Sequence, residues 1–298
     1  MADNARKLTQ LFTGSGPSMS PVQVQSLISD LKEASWQART IVAEVARMSV
    51  PAVPVQVVDR SRWITAMVES VQKMLGRSEP PVTLSAFQIR AVGLVVSRRV
   101  LGQWDPYGQK PQMYLVAPNI AQFMDDYLLN QKDLALWVVI HELTHAAQFY
   151  TAPWLADYIA QLATGVVNTK SDDEEAYIDH ITAVMSLLEG HATYVSDQAS
   201  TNVLFSQAQL AQAIASRRAH GGVVAHKVKQ LLGLTEKAQQ YSQGRDFVAD
   251  VVTAVGVDTF NKVWDDERNL PTLTELHDPQ LWMARIEGAT VKPEGGNI

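Results

Sequence analysis

Cysteine is absent from the 298 residues. That excludes a disulfide framework, a thiolate metal site and a cysteine nucleophile, and it accords with a reducing compartment. Basic charge is in short supply, with 25 Lys and Arg against 31 Asp and Glu and a net charge of −6. A chain that grips nucleic-acid phosphates carries the opposite balance, so nucleic acid is not an expected partner. No stretch approaches the roughly 18 uninterrupted apolar residues of a membrane span. The first 20 residues hold no apolar core of a secretory signal. What is present is an ordinary globular mixture, 46% hydrophobic and 19% charged, with no repeat and no low-complexity tract. A cytoplasmic protein with no membrane partner is expected; the oligomeric state is left open.

Periodicity divides the chain. Residues 1–20 are polar and rich in Gly, Ser and Pro, and are expected to be a flexible segment. Val24, Leu27, Ile28, Leu31, Ala34 and Ala38 predict a helix from Pro21 to about Met48, stopped by Val50-Pro-Ala-Val-Pro54. Val55 to Val58 is a possible strand, and Arg60 to about Leu75 a helix. A long apolar helix is expected to end near Leu101. Residues 102–118 are the least helical, with Gln112 to Val116 the best strand candidate. Beyond Pro118-Asn119 nearly everything reads as helix, over roughly 119–129, 131–150, 153–166, 172–200, 206–219, 222–232, 234–242, 245–255, 257–266 and 278–287. The expected fold is mainly α, with a small β-sheet and a helical C-terminal half. It forms one domain over 21–287, followed by a flexible tail over 288–298.

The informative stretch is Leu134 to Tyr150, LALWVVIHELTHAAQFY. Leu136, Val139, Ile140, Leu143, Ala147 and Tyr150 keep a helical period, so His141 and His145 stand one turn apart on one face. That places two imidazoles at two corners of a tetrahedral Zn2+ site. Glu142 lies beside the metal position, where it can accept a proton from an activated water. This is the H-E-x-x-H arrangement of zinc hydrolases.

A third protein ligand is required, with one position left open for water. The helix over 172–200 contains Glu189-Gly190-His191-Ala192. Glu189 and His191 are two apart, about 200° around a helix, so one of them faces the metal. His191 shares its side with Val184, Leu187, Leu188 and Val195, an apolar and core-like face. Glu189 shares its side with Met185, Ser186, Ala192 and Thr193. Glu189 is therefore assigned as the third ligand and His191 as the alternative, or as a residue that supports the site by hydrogen bonding. Asp197 could orient a ligand histidine, but a surface position is expected for it. Tyr194, Tyr241, His226 and His277 are candidates for the donor that stabilises an oxyanion.

These residues resemble a known family. The H-E-L-T-H helix followed by Gln148-Phe149 and Pro153-Trp154-Leu155 is similar to the zincin-like metallopeptidase type 2 family. This is an actinobacterial-type family often labelled coenzyme factor 420 biosynthesis-associated. Val57-Val58-Asp59-Arg60, the Leu101-Gly102-Gln103-Trp104-Asp105-Pro106 stretch, Glu189-Gly190-His191-Ala192 and segments up to Asp278-Pro279 extend the resemblance over roughly 55–286. It implies a zinc-dependent metallopeptidase-like fold and a hydrolase of unspecified substrate. Tyr241 lies in a family-like stretch and ranks first among the oxyanion donors.

Two further patterns have competing readings. Tyr114 to Ala117 could be an edge strand that pairs with an extended peptide, although an ordinary buried strand fits its pattern better. Arg217-Arg218 with His220, His226, Lys227 and Lys229 is read as a solvated helix face. The sequence thus points to a zinc-dependent hydrolase, most simply a metallopeptidase acting on a peptide or small amide. The alternatives are a non-catalytic zinc- or partner-binding helical module, and a zinc amidase acting on a small metabolite.

Overall fold

The computed structural model describes residues 13–14, 16–76, 86–168, 173–203, 206, 208–217 and 243–290. Helix α1 (Pro21–Ala46) begins at a capping box, in which Ser20 and Gln23 satisfy each other's backbone N–H groups, with Pro at the first helical position. Leu27, Leu31, Ala34, Ala38, Val42 and Ala46 form its buried stripe, as the three- and four-residue steps predict. The helix ends at Arg47, in the left-handed region.

Strand β1 (Val55–Val58) leads to Asp59, whose carboxylate caps helix α2 (Arg60–Leu75). Helix α3 (Ala86–Val96) stops five residues short of the expected end. A turn at 97–99 follows it, where Asn119 Nδ2 donates to the carbonyls of Ser97 and Val100 at 2.7 and 2.6 Å. Strands β2 (Gly102–Asp105) and β3 (Gln112–Val116) complete a sheet of order β1-β3-β2. β1 runs parallel to β3, pairing Val55 with Met113 and Val58 with Val116. β2 is antiparallel, pairing Gly102 with Leu115 and Asp105 with Gln112.

β3 is therefore the central strand, the ordinary buried strand that its pattern favoured over an edge open to an extended peptide. Its alternation feeds two cores. Met113 and Leu115 join the main core, while Tyr114 and Val116 pack with Trp63 and Ile64 of α2. The edge beside the main helices belongs to β2, a strand the sequence did not declare.

Helix α4 (Ala117–Tyr127) starts on Pro118 and precedes α5 (Gln131–Thr151), capped by Asn130. α5 is buried along most of its length, packed against α1 on one side, α7 (Asp173–Val203) on another and β2 at its middle. Helix α6 (Leu155–Asn168) lies between, packing on α7. A helical stretch over 208–217 is joined to α5 through Asp133, whose Oδ2 accepts from the backbone N–H and hydroxyl of Ser206 at 2.8 and 2.5 Å. Helix α8 (Gln243–Val255) crosses α7 where Gly190 meets Gly244. A Cβ on Gly190 would lie 2.2 Å from the Gly244 carbonyl carbon. Short helical turns at Val257–Phe260 and Asn261–Trp264 replace the single helix expected over 257–266, and further turns follow at Glu267–Asn269 and Leu273–His277. Helix α9 (Pro279–Thr290) closes the described chain. The helices expected over 222–232 and 234–242 lie outside the described residues.

Candidate metal centre

α5 carries His141, Glu142 and His145, and α7 brings Glu189 across from them. Glu189 Oε2 lies 3.3 Å from His141 Nε2, and Oε1 lies 3.4 Å from His145 Nε2. One ligand atom from each of the three residues falls within 4.8 Å of the others. A tetrahedron with metal–ligand bonds of about 2.0–2.1 Å has edges of roughly 3.3–3.4 Å, and each imidazole Nε2 stands at about that distance from one of the two Glu189 oxygens. Two imidazoles and one carboxylate are also the donor set that zinc accepts at catalytic sites. The residues therefore fit the metal that the motif implies.

The free cluster is an ion network. Burial opposes a charged His145, but the charge and hydrogen bond of Glu189, with help from Glu142 and Gln148, carry its pKa up to about 9. Burial alone would raise Glu189, but the two imidazoles hold it well below the usual carboxylate range. Its side chain is 49% exposed, opening onto the cavity. A divalent cation can take the place of those protons.

Behind the ligands stands Gln148. Its Oε1 lies 2.9 Å from His145 Nδ1, and its Nε2 donates to the Leu188 carbonyl at 3.0 Å and meets His191 Nδ1 at 3.1 Å. This network assigns Nδ1–H as donor on His145, which leaves Nε2 for the metal position. His191 is 2% exposed, packed against Phe260 and Trp264, and burial pushes its pKa down to about 3. His191 thus lies on the core side, as its apolar face predicted, and supports the site through Gln148. His141 is steadied by stacking on Trp137, ring centroids 5.5 Å apart.

Glu142 is buried, and burial raises its pKa against the opposing pull of His141 and His145. Its Oε2 accepts the outward backbone N–H of Trp104 on β2 at 2.9 Å. Gly102, two residues earlier, makes room for it: a Cβ there would stand 2.6 Å from Glu142 Cγ. All four residues open on a cavity of about 1060 Å³, also lined by Trp104, Tyr107, Trp137, Arg99 and Arg217.

The other candidates fall elsewhere. Tyr241 and His226 lie outside the described residues. Tyr194 and His277 do not line the cavity. Asp197 forms an ion pair with Arg245 of α8 at 3.3 Å, which joins two helices. Of the basic stretch read as a solvated face only Arg217 is described, and it instead lines the cavity with its guanidinium 4.9 Å from the centre of the Phe123 ring; Arg218, His220, His226, Lys227 and Lys229 lie outside the described residues. Sequence reasoning gave no role to Gln148, Gly102 or Trp137. The first and last sit at i+3 from His145 and i−4 from His141, spacings that put them on the ligand face.

The sequence pattern of zincin-like metallopeptidases matches residues 81–169 and 161–283. A crystal structure from Chloroflexus aurantiacus, described as a candidate hydrolase with a novel fold, superposes with a TM-score of 0.78 at 27% identity. The match covers 99% of this chain and 98% of that one. Comparison with curated proteins finds no match. Among the described residues no helix is long and apolar enough to cross a membrane.

Proposed function

We propose, from the premise that this chain belongs to the zincin-like metallopeptidase family, that it is a zinc-dependent hydrolase that cleaves a peptide or small amide in the cytoplasm. The observation that carries this reading is the convergence of His141, His145 and Glu189 within 4.8 Å beside a buried Glu142, all facing one cavity. His141, His145 and Glu189 hold the metal, and Gln148 with His191 orients the ring of His145. Zinc, when bound, supplies Lewis acidity to a carbonyl and acidifies a water.

Glu142 does the proton work. Its raised pKa favours taking a proton from the attacking water and returning it to the leaving nitrogen. The Trp104 N–H and the space over Gly102 fix the carboxylate for that transfer. Among the described residues the cluster offers three ligands, not four, and it opens on a cavity. That favours a catalytic centre over a closed structural one.

Metal analysis and turnover test the reading together. The purified protein is expected to hold one equivalent of zinc. Glu142→Gln should keep the zinc and lose cleavage of a broad peptide mixture, and Glu189→Ala should lose the zinc. A wild-type protein that takes up no zinc, or a Glu142→Gln variant as active as wild type, would refute it.

A further inference from the structure

The cavity runs past the metal cluster in both directions. Trp137, His141, Glu142, His145 and Phe149 of α5 all line it. From Trp137 to Phe149 a helix rises roughly 18 Å, the length of about five residues of extended chain. The cluster lies midway, so there is room for groups on both flanks of the bond that faces it.

The two flanks differ in chemistry. Outside the cluster, the charged lining residues among those described are Arg99, Asp126 and Arg217, from the turn before β2, from α4 and from the 208–217 helix. Ser206 ties that helix to Asp133, one turn before Trp137, so its charge belongs to the Trp137 end. At the other end α6 follows α5, and its Gly165 faces the Tyr177 ring near the start of α7, which sets α6 and the first half of α7 side by side beyond His145. Val71 and Met74 of α2, Ala163 of α6, and Ile181 and Met185 of α7 line the cavity there and are half-buried, as is Phe149. Two hydroxyl residues share this wall, and both hydroxyls are engaged: Ser70 Oγ donates to Asp105 at 2.6 Å, and the Tyr107 hydroxyl donates to the Ala156 carbonyl at 2.8 Å. Among the described residues no charged side chain lines this end. Half-buried hydrocarbon from four helices thus surrounds a space in which a polar group would find few partners.

We propose that the His145 end of the cavity is an apolar subsite for a large aliphatic or aromatic side chain, so that the substrate is a peptide with such a residue beside the scissile amide. This rests on the hydrolase reading above for the reaction, but not for the binding. The subsite is continuous with the metal centre, so its occupant is part of the substrate rather than a separate partner. A peptide reaches both flanks at once, the apolar one beyond His145 and the charged one beyond Trp137, a span that a small amide does not fill.

Calorimetry on the metal-free full chain tests the subsite without turnover. The probes are three blocked peptides, acetyl-Ala-X-Ala-amide with X as Phe, Gly or Lys, and octanoyl-glycinamide. The Phe peptide is expected to bind roughly tenfold to hundredfold more tightly than the Gly peptide, the effect of burying one large apolar side chain. Ala163→Phe fills the space and should erase that preference. Met74→Gln, on the α2 wall, should reduce it and serves if the first variant does not fold. Equal binding of the three peptides overturns the proposal, and so does a full preference for Phe in a folded Ala163→Phe protein. Tighter binding of the Lys peptide, or of octanoyl-glycinamide, than of the Phe peptide overturns it as well. A Phe preference in a protein that takes up no zinc and cleaves no peptide would support the subsite while refuting the hydrolase reading.

Discussion

Gly102→Ala is the sharpest test of how the site is built. The added methyl would lie 2.6 Å from Cγ, 2.7 Å from Oε1 and 2.8 Å from Cδ of Glu142. Ordinary contact begins near 3.4 Å, so the carboxylate must retreat by about 0.8 Å. Glu142 is 6% exposed and its Oε2 is fixed on the Trp104 N–H, so the retreat cannot be absorbed in solvent. Leaving that N–H buried and unpartnered costs about 1–3 kcal/mol of stability. Misplacing a catalytic group by about 1 Å costs on the order of 100-fold in rate. Turnover of the best substrate from a peptide screen should therefore fall about 100-fold, with zinc content unchanged because no ligand is touched. Gly288→Ala is the control: a Cβ there meets nothing within 4 Å, and wild-type behaviour is expected. A Gly102→Ala enzyme within about threefold of wild type, with full zinc, would refute the placement of Glu142 as the base.

Other outcomes follow from the same geometry. Gln148→Leu removes the partner of His145 Nδ1 and of His191 Nδ1 together, and should weaken zinc about 10–100-fold in chelator competition. Gly190→Ala forces α7 and α8 apart from a 2.2 Å backbone clash, and thermal denaturation should show a loss of about 3 kcal/mol or more. Glu275 accepts from Arg285 at 2.6 and 2.9 Å and from the Thr272 N–H; burial pushes its pKa up, but these contacts win and hold it below the usual value. Its stabilisation is present above about pH 4.5 and fades as pH falls through the folded pKa. Glu275→Gln should thus cost about 1–3 kcal/mol at pH 7, with the gap to wild type closing in acid, as read by denaturant unfolding across pH.

The helices with clean periods were legible. α1, α2 and α5 occupy nearly the residues that their apolar steps predict, and β1 and β3 have the expected bounds. Glu189 and His191 fall on the faces their neighbours implied. What was hidden depended on partners remote in sequence. β2 reads GQWD, with a glycine and an aspartate that have poor strand propensity; it is a strand because β3 supplies its ladder. The central place of β3 follows from a parallel crossover through α2 and α3, which no local pattern encodes. Arg217 looked solvated because its charge sits in a basic run, yet Ile214 one turn earlier lies on the same cavity wall. Gln148 was visible as an amide on the ligand face, but its bonds to α7 were not.

That carboxamide has an end that only accepts and an end that only donates, and the site uses both. It takes a proton-bearing nitrogen from one imidazole while giving hydrogens to a second imidazole and to the main chain beside Glu189. A glutamate of equal length has no hydrogens to give, an asparagine is one carbon short, and a lysine has nothing to accept with. Position 148 is therefore a word with no synonym in the twenty-letter alphabet.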